Sequence, residues 1–460
     1  METSGFSPPA RNFFLLLLAF SAALRGVRLD QGFGYDEIYS LRNFFLVPLA
    51  TILTDMHVPN NHPLYSLMAR ACILALGENE WTARLPAFIA GSLTPPFLYL
   101  LGRRLFGHRA GLIAGFLFGA GFWPLWHSGE ARGYAPMILC SLLSVILFLD
   151  LRDRFSIRRA VGFVAVSVAA AYFHLYGGFV AVGCGVSALA MIPARRREGI
   201  RLAFVCLAAG LIFGALYLPY VPSLIAFAPY GRNMRLQGNR ISAGLFASVL
   251  LDWPLGPYRR LGAAPLWAAA VAGIIPAWRQ GRSWLTIWAA AMAAGLVVPL
   301  VMNSFVFARF FSFGLPGFFL LAAAGTDYLW RTLDRRLTGL GALVPAMAVV
   351  FTLTGTFHYF RYPQYSTRVV ARWVEENAPG RKWMTMGTSR EIMDYYLPRM
   401  ESLPEQPLDP RQLRQALLIV RAPEALSKHD AGVLHDFCQP PVEFPSSGER
   451  QFDYRIFLCD

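Results

Sequence analysis

Residues 32–40, GFGYDEIYS, set two adjacent carboxylates, Asp36 and Glu37, directly behind an apolar run. A carboxylate within hydrogen-bond reach of a hydroxyl can take its proton as the oxygen attacks. The same two acids in a helix's first turn would merely cap it and meet its dipole. Further polar stretches punctuate the greasy chain: DMHVPNNHPLYSLMAR (55–70), GENEWTARLP (77–86), WHSGEARGYAP (126–136), a short turn around His174 and Tyr176, and NSFVFARFF (303–311). They mix acids, histidines, amides, tyrosines and arginines, which a simple topology signal does not require. Tyr39, His57, Asn60, Asn61, His62 and Tyr65 are candidates to line a pocket. Pro63 is equally a good first helical residue, so the HPLY segment also has a purely structural reading. Glu130, Arg132 and Tyr134 could hold a phosphate or sugar; the alternative is an interfacial anchor, with Arg132 snorkelling and Tyr134 in the aromatic belt. Arg309 stands in a similar place. Arg232 and Arg235 fall in a long loop, 223–261, that is either a flap over an anion or a solvated basic loop. Asp36, Glu37 and His57 also raise a divalent-cation reading, although their spacing is not that of a recognised metal site.

The elements that must hold these groups are membrane helices. The chain is 55% hydrophobic and 15% charged, against roughly a quarter charged in soluble domains. Its apolar residues come in runs such as FFLLLLAFSAAL, AGLIAGFLFGAGFWPLW and LTIWAAAMAAGLVVPLVM. A bilayer core needs about 20 helical residues, and these runs lack the alternation of barrel strands. The expectation is an all-α polytopic membrane protein with about eleven spans: 13–29, 82–102, 110–126, 134–150, 160–176, 177–193, 201–222, 262–278, 284–302, 310–330 and 338–357. Segment 62–77 is short, carries Arg70, and is read as an interfacial helix in the first outer loop, 30–81. With it out of the membrane and the N-terminus cytoplasmic, Arg11, Arg103, Arg104, Arg109, Arg152, Arg154 and the run Arg195–Arg197 all fall inside, as the positive-inside rule requires. Were 62–77 to span, every one of these after Arg11 would flip outside. The first span also has a signal-peptide reading at SAALRG, but cleavage would leave the acids on a free tail. The net charge of +14 is therefore mostly topological, and no nucleic-acid partner is implied.

Residues 1–361 are expected to form the transmembrane domain and 362–460 a small extracytoplasmic α/β domain. STRVVARWVEENAPG reads as an amphipathic helix closed by Pro and Gly; KWMTMG, ALLIV and YRIFLC read as strands, with helical pieces at 389–397 and 423–436. Four cysteines lie in apolar segments and read as packing residues. Cys438 and Cys459 lie in the tail, where an oxidising compartment would let them pair. The tail has no P-loop, dinucleotide fingerprint or zinc spacing. The only lysines are Lys382 and Lys428, so a cation serving the membrane half must be arginine.

The order YDEIYS, NNHPLYSL, GENEWTARLPAFIAG, LGRRLFG, HSGEARGYA resembles bacterial polytopic glycosyltransferases of the GT-C superfamily, in particular protein O-mannosyltransferase-like enzymes and the aminoarabinose transferases of lipid A. The resemblance is good over 13–150, rests on topology for the other spans, and hardly reaches the tail. It implies a polyprenyl-phosphate-linked sugar as donor, inverting transfer on the outer face of the bacterial inner membrane, and a lipid, glycan or protein acceptor, with no cofactor required. Asp36 is then the base, with Glu37 orienting it or binding acceptor or cation, and arginine forks hold the departing phosphate. Relatives often carry a second proline, sometimes after a lysine, at NHPLY, so no lysine contact carries over. A flippase of lipid-linked sugars would need polar midplane residues on broken helices. A lipid-linked glycan ligase or polymerase would use similar arginines but lacks this placement of the acidic pair.

Overall fold

The computed structural model describes residues 8–57, 60–236, 240–253, 256, 263–379, 381–386, 393–397, 401–402, 408–409, 411, 413, 416–421, 426–445 and 453–459. The chain divides into two compact units. The larger runs to Leu29 and then takes Phe44–Glu78 and Thr82–Thr356; the smaller takes Asp30–Asn43, Asn79–Trp81 and the chain from Phe357 on. The smaller unit thus contains the acidic segment as well as the tail.

The larger unit is helical: α1 (Pro8–Gly26), then, beyond the α2 segment of the other unit (Tyr35–Ser40), α3 (Leu49–Thr54), α4 (Pro63–Leu76), α5 (Glu80–Phe106), α6 (His108–Ala120), α7 (Phe122–Ser128), α8 (Tyr134–Asp153), α9 (Ile157–Phe173), α10 (Gly178–Met191), α11 (Arg196–Tyr217), α12 (Val221–Leu236), α13 (Ala243–Asp252), α14 (Ala264–Gln280), α15 (Arg282–Val301), α16 (Leu315–Arg336) and α17 (Leu343–Arg361). Six stretches among the described residues are long and apolar enough to cross a membrane: Glu80–Phe106, Tyr134–Asp153, Arg196–Asn233, Arg282–Val301, Ala308–Arg336 and Leu340–Arg361. The other five expected spans fall on helices of 13 to 19 residues. Helix α4, at 14 residues, is about 21 Å long and too short to cross a 30 Å core.

Two departures from the sequence reading matter for the site. The expected span 110–126 is broken at Gly121, whose backbone is extended between α6 and α7. The break exposes carbonyls at the end of α6, and side chains take them: Arg25 Nη1 donates to Gly119 O at 3.1 Å, and the Thr356 hydroxyl donates to Ala120 O. Pro124, at the start of α7, has no N–H to leave unpaired there. The second departure is the stretch from residue 223 to 261, expected to be a loop after the span 201–222. It is helical from Val221 to Leu236, following a short 3-10 turn at Leu218–Tyr220, and Pro222 suits the first turn of that helix.

Small residues let the helices close. A Cβ on Gly325 of α16 would overlap the Ala269 carbonyl oxygen of α14, and one on Gly183 of α10 would overlap Ile287 O of α15. Ser144 of α8 and Ser167 of α9 are hydrogen-bonded at 3.1 Å. At the carboxyl end of α8, Arg104 bridges Asp150 and Asp153, each at 2.7 Å. The amino end, about 30 Å away along a 20-residue helix, carries the polar cluster described below.

In the smaller unit, α18 (Thr367–Asn377) and α19 (Lys428–Phe437) accompany strands β1 (Lys382–Met386), β2 (Glu401–Ser402), β3 (Ala416–Arg421), β4 (Val442–Phe444) and β5 (Tyr454–Leu458). The sheet order is β2-β1-β3-β5-β4, with β1 parallel to β2 and β3, and β5 antiparallel to β3 and β4. Side chains alternate across the sheet. Leu417, Ile419 and Ile456 pack with Val370 and Val374 of α18, whereas Leu418, Val420 and Phe457 pack with Leu434 of α19. The helix at 367–377 and the three longer strands lie where the apolar patterning puts them. The short strands β2 and β4 have too few residues to show a pattern. Of the expected helical piece 389–397, residues 389–392 lie outside the described residues. Cys438 and Cys459 are joined, S–S 2.04 Å, tying the end of α19 to the end of β5.

Candidate functional site

In the larger unit the amino ends of α4 and α8 meet. Gly133, just before α8, leaves room that a Cβ would take from the Phe173 carbonyl. That carbonyl accepts from His62 Nδ1 at 2.8 Å, so His62 carries its proton on Nδ1 and presents a bare Nε2. Nε2 is buried and has no hydrogen-bond partner among the described residues. His62 stacks on His174, centroids 5.3 Å apart. His174 Nδ1 accepts from Tyr176 N at 3.2 Å, which puts its own proton on Nε2. The Tyr134 ring lies among His62, His127 and His174, at 5.6, 4.9 and 5.1 Å.

Two guanidiniums border these rings. Arg132, 2% exposed, donates from Nη1 to Asn60 Oδ1 at 2.8 Å. Arg309, half-buried on the 3-10 turn Ala308–Gly314, donates from Nε to the Tyr134 hydroxyl at 3.1 Å. Burial and then Arg132 hold His62 well below the usual imidazole range. Burial, Arg132 and Arg309 bring His174 down to about 3. Burial and the neighbouring positive charge together keep His62 and His174 neutral. Two helix amino ends add partial positive charge and N–H donors. The set is suited to an anion with several acceptor oxygens.

A second chain of bonds fixes Arg309. Glu130 Oε2 lies 3.2 Å from His127 Nδ1, and His127 Nε2 lies 2.8 Å from Ser312 Oγ, which donates to the Arg309 carbonyl at 2.6 Å. His127 and Ser312 hold no role in the sequence reading. The i, i+3 spacing of His127 and Glu130 was a visible signal, but Ser312, 185 residues on, was not.

Other expected pocket residues are used by the fold. Asn61 donates to Ile52 O and Asp55 O and accepts from Ser66, while the Tyr65 hydroxyl donates to Ala83 O. Both brace the first loop. His57 is exposed and pairs with Asp55 at 2.7 Å. Arg232 is exposed on α12 and the Arg235 side chain lies outside the described residues. Among the described residues no group of three His, Cys, Asp or Glu side chains is placed to hold a metal ion.

In the smaller unit, Asp36 and Glu37 stand in the first turn of α2, and Asn43 donates to the Tyr39 carbonyl just beyond. Glu37, 1% exposed, accepts from Gly34 N at 2.8 Å and so closes the helix's own amino end. Asp36, the residue before Glu37, is half-buried. The approach to it is held by the tail: Phe33 N donates to Tyr396 Oη at 2.7 Å, and Tyr396 Oη donates to Glu80 Oε1 at 2.8 Å. Arg368 Nη1 meets the same Glu80 oxygen at 3.1 Å. Gln31 and Gln364 exchange two hydrogen bonds, and Gly34 lies against the Tyr365 ring, where a Cβ would stand 2.6 Å from its carbons.

The order of helices and the small mixed-sheet unit give a fold that is also found in the solved structures of ArnT and AglB. Residues 58–221 match the family model described as dolichyl-phosphate-mannose-protein mannosyltransferase. Among solved structures, the chain is similar to ArnT from Cupriavidus metallidurans bound to undecaprenyl phosphate, at 14% identity and TM-score 0.53 over 96% of this chain and 97% of that one. It is also similar to the archaeal oligosaccharyltransferase AglB from Archaeoglobus fulgidus, solved with an inhibitory peptide and a dolichol phosphate, at 14% identity and TM-score 0.55 over 96% and 74%. No curated protein matches the chain in sequence.

Proposed function

We propose that the protein transfers a sugar from a polyprenyl-phosphate-linked donor to an acceptor hydroxyl, with inversion, on the outer face of the bacterial cytoplasmic membrane. The carrying observation is the Arg132–Arg309 cluster at the amino ends of α4 and α8, beside His62 and His174, which burial first and the guanidiniums second keep neutral. The lipid phosphates held by ArnT and AglB support the choice of anion.

In this reading the acceptor oxygen attacks the anomeric carbon and its proton passes to the Asp36 carboxylate. The C1–O bond to the phosphate breaks, and its electron pair leaves on the polyprenyl phosphate. That leaving group is a stable anion and needs no general acid, unlike the alcohol of most glycoside hydrolysis. Arg132 and Arg309 hold the charge as it gathers, with bonds that charge assistance makes stronger than neutral ones. Glu37 keeps α2 closed. No step calls on a metal ion. The arginine clusters around Arg104 and Arg109 face the cytoplasm and the smaller unit lies outside, where the Cys438–Cys459 bond persists.

The test incubates purified protein with a panel of hexosyl and pentosyl polyprenyl phosphates and measures free polyprenyl phosphate. Release is expected with at least one donor and falls about 10²–10⁴-fold in Asp36→Asn. Full release by Asp36→Asn contradicts the base assignment. Movement of lipid across vesicles without release from any donor makes the protein a flippase.

A further inference from the structure

The smaller unit has a hollow of about 330 Å³ that this reaction scheme leaves unused, with Gln31, Gly32, Arg368, Arg372, Trp373 and Glu376 on its walls. Its size is at the lower end of small-ligand pockets. Helix α18 supplies Arg368, Arg372 and Glu376 at i, i+4 and i+8, one line of its surface, while Val370 and Val374 point into the core. Like charges four residues apart cost a helix stability. Arg368 gives Nη1 to Glu80, and its other guanidinium nitrogens make no hydrogen bond among the described residues. Arg372 is exposed and makes no ion pair among them, not even with Glu376 one turn along. Trp373 is half-buried and braced edge-on by Phe444, centroids 6.2 Å apart. Two guanidiniums, an indole face and a carboxylate are the groups that meet an anionic sugar: charge for its acid group, an apolar face for its ring carbons, an acceptor for its hydroxyls.

The hollow's position gives it a use. Gln31 and Gly32 form part of its wall, and Asp36 follows Gly32 by four residues, no more than about 14 Å of extended chain. That short link is fastened at Phe33 by Tyr396 and at Gly34 by the Tyr365 ring.

We propose that this hollow binds the acceptor, a saccharide carrying a carboxylate or phosphate on a residue next to the one that is glycosylated. The proposal builds on Asp36 as base, and the experiment separates the two. Full-length protein in detergent is titrated calorimetrically with three probes: a glucuronate-terminated trisaccharide, the same trisaccharide with its carboxyl reduced to an alcohol, and a trisaccharide ending in a 6-phosphosugar. At least one charged probe is expected to bind about tenfold or more tightly than the neutral one, and which of the two does so assigns the acid group. Arg372→Gln, on the exposed surface, is expected to weaken charged-probe binding about fivefold, the scale of an exposed ion pair, and to leave the neutral probe unchanged. Asp36→Asn is expected to bind as wild type does, so loss of turnover with intact binding speaks only to the base. Binding by neither charged probe, equal binding of the neutral one, or an Arg372→Gln variant that binds normally overturns the acceptor site.

Discussion

Around Tyr134 the charge state of each side chain follows from its neighbours. Burial, and then the charges of Arg132 and Arg309, disfavour a further proton, so His62 and His174 remain neutral and act as dipoles and lone pairs. Their native proton affinity lies below that of the unfolded chain, whose histidines titrate near 6.5. Above that pH neither state binds the proton and the two residues have no effect on stability. As pH falls below about 6.5 the unfolded state takes up protons that the native state refuses, so stability drops by up to about 1.4 kcal/mol per unit for each histidine. For His174 the fall continues toward its native value of about 3. The midpoint of thermal unfolding in detergent should therefore decline from pH 7 to pH 5, and His174→Gln should flatten that decline; an unchanged slope would contradict the assignment. Arg132, Arg309, Asp36 and Glu37 stand out in the sequence because charge is rare in so apolar a chain. Asn61 and Tyr65 carry the same polar label, yet their hydrogen bonds are spent inside the first loop, and no local pattern tells those uses apart.

At the scale of elements, the segment bearing the acids is tied down by tertiary hydrogen bonds. It has only six residues of helix, capped by its own Glu37, and an isolated helix of that length is unstable in water. Its order comes from the tail through Tyr396, Glu80 and Arg368. Tyr396→Phe removes the oxygen that both accepts from Phe33 N and donates to Glu80. If Asp36 is the base, this substitution should lower kcat several-fold through misplacement and leave KM for the lipid donor near its wild-type value. A pure stability role would lower the folded fraction without this split. The helices themselves were legible from runs of apolar residues, and α18 from its amphipathic face. The break at Gly121 was not, because a glycine inside an apolar run reads the same in a continuous helix and in a broken one. The bonds from Tyr396 and Arg368 to Glu80 join residues 316 and 288 positions apart, beyond anything periodicity can report.

At the largest scale, α8 separates two kinds of polar end. Arginines and their acids gather at the carboxyl end of α8, and imidazoles, phenols and guanidiniums gather at its amino end. The proposed donor, a lipid-linked anion, would bring its phosphate to the positive recess. Equilibrium binding of undecaprenyl phosphate to wild type, Arg132→Gln and Asp36→Asn tests this most directly. Arg132→Gln should bind about tenfold or more weakly, the scale of one charge-assisted hydrogen bond, whereas Asp36→Asn should bind like wild type and fail to turn over. Wild-type affinity in Arg132→Gln would contradict the account.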